Sequence, residues 1–432
     1  MRRVADVTSG VESVSLCIRV SSVRIASNTS REPANAKNSV YGLFAQDLPA
    51  GQGDGITSGF FWQECDSTLI SLLRREWFLA VSAGSALCFV IFGDRLFSEL
   101  SSPVWFAVVF LWLFAVVLGS ALAVVRHAEH LAARLGEPYG TLILTLSVTA
   151  IEAVSISAMM LHGADNPTLT RDTLLAILMI ILNGMVGVSL LIGGWRHHEQ
   201  YYNLQGANAY LSVIIPITVL SLVLPNFTET TPGPTLSRPQ EIFVILMSVG
   251  LYCAFLAIQS GRHRSYFMSD DDVNHNRHST ASHPIALHVT LLAAYMVTVI
   301  SLAEQLASPV AYTIRVLHAP AALGGVAIAA LVATPEAIGA ARAAFANNLQ
   351  RSVNIFLGSV LSTIGLTIPI MLVITNIMGQ KMVLGVEHAN LVLLLLTLFV
   401  SATTFTSART NVLQGLVHVL LFFAYVMLIF EH

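Results

Sequence analysis

Residues 140–152 read GTLILTLSVTAIE, and residues 324–336 read GGVAIAALVATPE. Each stretch opens on glycine, stays apolar or hydroxyl-bearing for a dozen residues and closes on a lone glutamate, Glu152 or Glu336. Each then runs on as apolar sequence, so each glutamate falls well inside a segment long enough to cross a bilayer core, which takes about 20 helical residues. A carboxylate at that depth costs about 3 kcal/mol even on the mildest scale. Two of them, equivalently placed, are hard to explain as structure alone. The structural alternative is a protonated glutamate bonded to a neighbouring helix.

The duplication extends outward from these stretches. Ala128-Glu129-His130-Leu131-Ala132 reappears as Ala303-Glu304-Gln305-Leu306-Ala307. Asn183-x-x-x-Gly187 with Gly194 matches Asn354-x-x-x-Gly358 with Gly365. The order survives although 31 residues separate Glu152 from Asn183 and 18 separate Glu336 from Asn354.

The rest of the chain fits a membrane protein. Of 432 residues 55% are hydrophobic and 11% charged, with mean hydropathy +0.71, where a soluble domain carries about 25% charged residues. The net charge of -3 offers no basic field for nucleic acid. Cys17, Cys65, Cys88 and Cys253 form no C-x-x-C pair; Cys88 and Cys253 lie in apolar runs and read as buried and inert. Residues 1–72 are rich in Ser, Asn, Gly and Arg without sustained period, and read as a disordered cytoplasmic tail.

The fold expected is all-α and polytopic, with about eleven spans near 76–97, 103–125, 139–162, 172–195, 208–225, 240–260, 284–306, 319–342, 351–377, 383–405 and 410–430. A leading helix at 76–97 precedes two five-helix repeats, 103–260 and 284–430, joined by an acidic, His-bearing linker at 261–283. Because five is odd, the second repeat enters the membrane from the opposite side, the inverted-repeat architecture of secondary transporters. Arg74, Arg75, Arg126, Arg134, Arg196, Arg262, Arg264, Arg277, Arg342, Arg351 and Arg409 cluster in alternate loops. The positive-inside rule then puts the N-terminus in the cytoplasm and the C-terminus outside, in a bacterial inner or plasma membrane.

The candidate site follows from the chemistry of hard cations, which take oxygen ligands from carboxylates, hydroxyls, amides and carbonyls. Glu152 and Glu336 are the expected cation- and proton-binding groups. Thr149 and Ser155 flank the first, and Asn183, Asn354 and Ser359 come from the following spans. Helix-to-helix hydrogen bonding is an equal reading of the two asparagines. Pro335 should free the Leu331 carbonyl and break its helix at the site. The four glycines of the N-x-x-x-G stretches read as close-packing positions. Glu129 and Glu304 lie nearer the span ends, as interfacial carboxylates or as access and gating groups. His197, His198, His275, His278, His283 and Asp270 to Asp272 read as a solvated linker and loops, or as groups that gather cations. Burial disfavours a charged carboxyl and a bound cation reverses that, so two such glutamates hold protons or a cation in alternation. No resident cofactor is expected. No H-E-x-x-H, G-x-S-x-G or aspartate pair in adjacent spans points to an enzyme.

These residues resemble the ChaA-type calcium/proton antiporters, in the cation/proton branch of the cation–calcium exchanger superfamily. The resemblance rests on residues 136–152, Asn203 to Ala209, Pro335-Glu336, Leu349 to Asn354, Gly365 to Pro369 and Val412 to Gly415. It implies calcium exchanged for protons, with sodium or potassium as further ions, and carries the family glutamates onto Glu152 and Glu336. A monovalent sodium/proton or potassium/proton antiporter is the alternative. The wider calcium/proton exchangers place G-N-x-x-E before each glutamate; here Val148-Thr149 and Val332-Ala333 stand there.

Overall fold

A computed structural model describes residues 76–135, 139–162, 167–268 and 285–431. The N-terminal tail, most of the acidic linker and the Gly136-Glu137-Pro138 motif lie outside the described residues. The packing below belongs to the larger of two compact units, which holds the described residues from Val81 onward except Ile285–Leu287.

The described residues form eleven apolar helices: α1 (Trp77–Ser98), α2 (Pro103–Leu135), α3 (Tyr139–His162), α4 (Leu169–His197), α5 (Leu204–Phe227), α6 (Arg238–Arg262), α7 (Ile285–Arg315), α8 (Ala322–Phe345), α9 (Leu349–Met378), α10 (His388–Thr404) and α11 (Val412–Phe430). Ten are long and apolar enough to span a bilayer; α10, with 17 residues, is shorter. Their ends follow local chemistry. Asn203 caps α5 by accepting from Gln205 and Gly206 N–H at 2.9 and 3.3 Å. Asn411 and Gln414 cap α11 reciprocally at 3.1 and 3.2 Å. Gly379, at φ 68°, closes α9.

The halves pack crosswise. Helix α4 of the first half lies against α8 and α11 of the second, and α9 of the second lies against α3, α5 and α6 of the first. The α4–α11 contact is backbone to backbone: a Cβ on Gly187 would come within 2.7 Å of a Val419 methyl and 3.1 Å of the Gly415 carbonyl oxygen. Gly187, Gly194 and Gly365 therefore serve the close packing read from sequence, whereas Gly358 makes only ordinary contact with Tyr210. Loops cross over as well. At one end, β1 (Gln200–Tyr201) pairs antiparallel with β2 (Arg409–Thr410). At the other, the segment after α9 is pinned by Val383 N–H to the Pro167 carbonyl, Gly385 N–H to that of Pro234 and Val386 N–H to that of Leu222.

Two expectations are corrected. Helix α8 runs unbroken through Pro335. Four π turns occur among the described residues: two lie mid-span in the partner spans, at Ile180–Met185 in α4 and Thr363–Thr367 in α9, and two lie toward the ends of α5 and α6, at Val219–Val223 and Ile258–Arg262. Cys88 and Cys253 are exposed rather than buried, on faces shared with exposed Leu87, Ile91 and Val249. Such apolar faces suit lipid, and a thiol costs little there.

Candidate functional site

On α3 the positions 149, 152 and 155 share one helical face, and Thr149, Glu152 and Ser155 are all buried there. That face meets the π turn of α9. Thr363 donates to Glu152 Oε2 at 3.0 Å. Thr367, four residues on and fully buried, stands beside the same carboxyl. On α8, Glu336 is half-buried, and the Ser359 hydroxyl of α9 donates to its Oε2. Ser359 and Thr363, which bond the two carboxyls, are four residues apart on α9, and α3 packs on α8.

Around Glu152, Thr149 Oγ1 and Ser155 Oγ have no partner in hydrogen-bond geometry. A buried, unsatisfied polar atom costs about 1–3 kcal/mol, and bilayer water cannot relieve it. Hydroxyl and carboxyl oxygens are the ligands that hard cations take. Among the described residues no three His, Cys, Asp or Glu side chains gather as a metal site, and the donors around Glu152 are oxygens.

Glu152, Glu336, Thr149, Ser155 and Ser359 are thus brought together. The asparagines are not part of this cluster. Asn183 donates to Thr397 of α10 at 2.9 Å and faces His418 of α11 at 3.4 Å. Asn354 donates to the Phe267 carbonyl at 2.6 Å and accepts from Gln350 at 3.1 Å. Both make the helix-to-helix and helix-to-loop bonds that were the other reading of them. Glu129 and Glu304 are exposed on α2 and α7. His197 approaches the Phe345 carbonyl at 3.1 Å, while His275, His278, His283 and the aspartates of the linker lie outside the described residues. Sequence reasoning missed Thr363 and Thr367. The signal available was a pair of hydroxyls four apart, just before Pro369 in an otherwise apolar span.

The sodium/calcium exchanger protein family matches residues 105–261 and 287–431. A putative ionic transporter, y4hA, of Sinorhizobium fredii is 42% identical over 284 residues, covering 65% of this chain and 77% of that protein. The sodium-potassium/proton antiporter ChaA of Escherichia coli is 39% identical over 292 residues, covering 66% of this chain and 78% of its own length. Among solved structures, native YfkE superposes with TM-score 0.63 at 20% identity, over 82% of this chain and all of that one. An H+/Ca2+ exchanger, CAX, gives 0.59 at 13% identity, over 82% of this chain and 88% of its own. At these identities the structural likeness concerns the fold.

Proposed function

The chain belongs to the sodium/calcium exchanger family and is an integral membrane cation antiporter; on that premise we propose that it exchanges calcium for protons at one site built on Glu152 and Glu336. The hydroxyls of Thr149, Ser155, Ser359, Thr363 and Thr367 complete the site. The observation that carries this reading is the buried ring of hydroxyls around Glu152, two of them unpaired, with the second carboxyl bonded by Ser359 one turn from Thr363 on the same helix.

Charge arithmetic favours a divalent ion. Two carboxylates hold one calcium or two protons, and the site is neutral either way, as a low-dielectric interior demands. The two occupants exclude each other because a carboxyl must lose its proton before it ligates a metal. Alternate opening of the crosswise halves to each side turns that exclusion into antiport. Sodium and potassium, named for the E. coli relative, are the competing ions to test. The N-terminus sits in the cytoplasm of a bacterial inner membrane with the C-terminus outside, on the arginine bias. Glu129 and Glu304, at matched places on the first helix of each half, serve ion access.

The test uses purified full-length protein in liposomes with an imposed pH gradient. Expected is calcium uptake driven by outward proton movement, abolished by Glu152→Gln and by Glu336→Gln. Calcium flux indifferent to the gradient, or flux of sodium or potassium with none of calcium, would contradict the proposal.

A further inference from the structure

The two mid-helix π turns have different causes. In α9, Pro369 follows the turn, and its missing N–H leaves the Gly365 carbonyl without an α-helical donor. In α4 no proline lies between the turn and the end of the helix at His197. A π turn is a costly exception that persists where its surroundings hold it. Here Val186 N–H reaches back to the Ile181 and Asn183 carbonyls and bypasses Leu182. The Leu182 carbonyl lies instead against the imidazole of His418 on α11. The same ring meets Asn183 Oδ1 through Nδ1 at 3.4 Å and Thr404 Oγ1 through Nε2 at 3.0 Å. Asn183 passes the chain on to Thr397 at 2.9 Å. His418, Asn183 and Thr397 are each 0% exposed. These partners set the tautomer: Nδ1–H points at the acceptors of the π turn, and Nε2 accepts from Thr404.

We infer that His418 is a positioning residue for ion exchange, clamping the π turn of α4 and through it fixing where Glu336 stands. The inference rests on the reading of Glu336 as half of the exchange site. The link is mechanical. The π turn packs on α8, and α4 meets α8 through backbone and small side chains. A Cβ on Gly325 would come within 2.7 Å of the Thr173 nitrogen, and Ala329 and Ala333 are buried to 0 and 1% exposure. The close backbone approach at Gly325 leaves little room for a change of register. Relaxing the turn to α geometry would shift one half of α4 by about 1.5 Å along its axis.

The test compares His418→Asn, His418→Gln and His418→Leu in liposomes, with calcium as the probe, alongside Glu336→Gln. Asparagine puts an N–H where Nδ1 stands and keeps the clamp; glutamine reaches Thr404 and abandons Asn183. Half-saturating calcium should stay within about twofold of wild type for asparagine and rise about tenfold for glutamine and leucine, with maximal rate changing far less, as the loss of a buried hydrogen bond implies. Amide exchange over residues 180–187 should accelerate for glutamine but not for asparagine. Should leucine fail to fold, the asparagine and glutamine pair carries the test. Asparagine behaving like glutamine, or all variants losing maximal rate at unchanged half-saturation, would overturn the inference. Full exchange by Glu336→Gln would instead sink the reading of the site, while the amide-exchange contrast would still report on the clamp.

Discussion

Glu152 and Glu336 occupy matching places in a duplicated sequence, yet their surroundings differ. Glu152 is 1% exposed and ringed by hydroxyls, two without partners. Glu336 is half-buried, follows a proline and is met by the Ser359 hydroxyl. The π turn facing Glu152 carries Thr363 and Thr367 toward the acid, whereas the π turn packed on the Glu336 helix turns Asn183 away, into the His418 network. A repeat in sequence therefore gives a pair of acids with unequal surroundings. On the proposed reading the first gathers oxygens for the cation, while the second is met by a single hydroxyl.

The largest expected effect tests what the acids share. Glu152→Gln and Glu336→Gln should each abolish calcium-driven proton flux in liposomes while leaving the protein in the membrane. Near-normal flux in either would make that carboxyl structural. A second pair tests how far the symmetry goes in packing. Gly187→Ala drives a methyl to 2.7 Å from Val419, whereas the motif-equivalent Gly358→Ala meets only Tyr210 at 3.6 Å. The first should lower the unfolding temperature and the yield, since overpacking costs about 1–3 kcal/mol; the second should leave both near wild type. Equal losses would show that the glycines are equivalent after all.

The ligand shells give a subtler contrast. Thr367→Val removes a fully buried hydroxyl beside Glu152 and should raise half-saturating calcium about tenfold, while Ser359→Ala removes a hydroxyl at the less buried acid and should raise it about threefold. A larger effect at Ser359 would reverse the assignment of the cation-gathering half. The smallest effect is expected from deleting residues 1–70, which precede the first span and should leave the rate of exchange unchanged. Correct insertion without transport would show that the tail takes part.

Much of this was legible in the sequence, because membrane spans and a duplication are both written in composition and order. Helix number, the two acids and their hydroxyl neighbours on α3 all follow from apolar length and i, i+3 spacing. The helpers on α9 were not legible, for a physical reason. Matching the halves letter by letter finds what they share, but Thr363 and Thr367 serve the acid of the opposite half and have no matching letters in α4. The π turns hid Asn183 in the same way, since one extra residue in a turn swings the following side chains away from the face that regular periodicity assigns. Cys88 and Cys253 show a related limit. In a bilayer, an apolar run says that a residue avoids water, not whether protein or lipid surrounds it.

The measurement that bears most directly on the shared site is calcium binding by calorimetry on solubilised full-length protein across a pH series. Proton release is followed by repeating each titration in buffers of different ionisation enthalpy. If calcium and protons occupy the same two carboxyls, apparent affinity falls steadily as pH falls. Bound calcium then displaces protons, up to two per ion, titrating as a coupled pair. Affinity that stays flat from neutral to acidic pH, with no protons released, would contradict exchange at Glu152 and Glu336, even if the protein still moved a cation by another route.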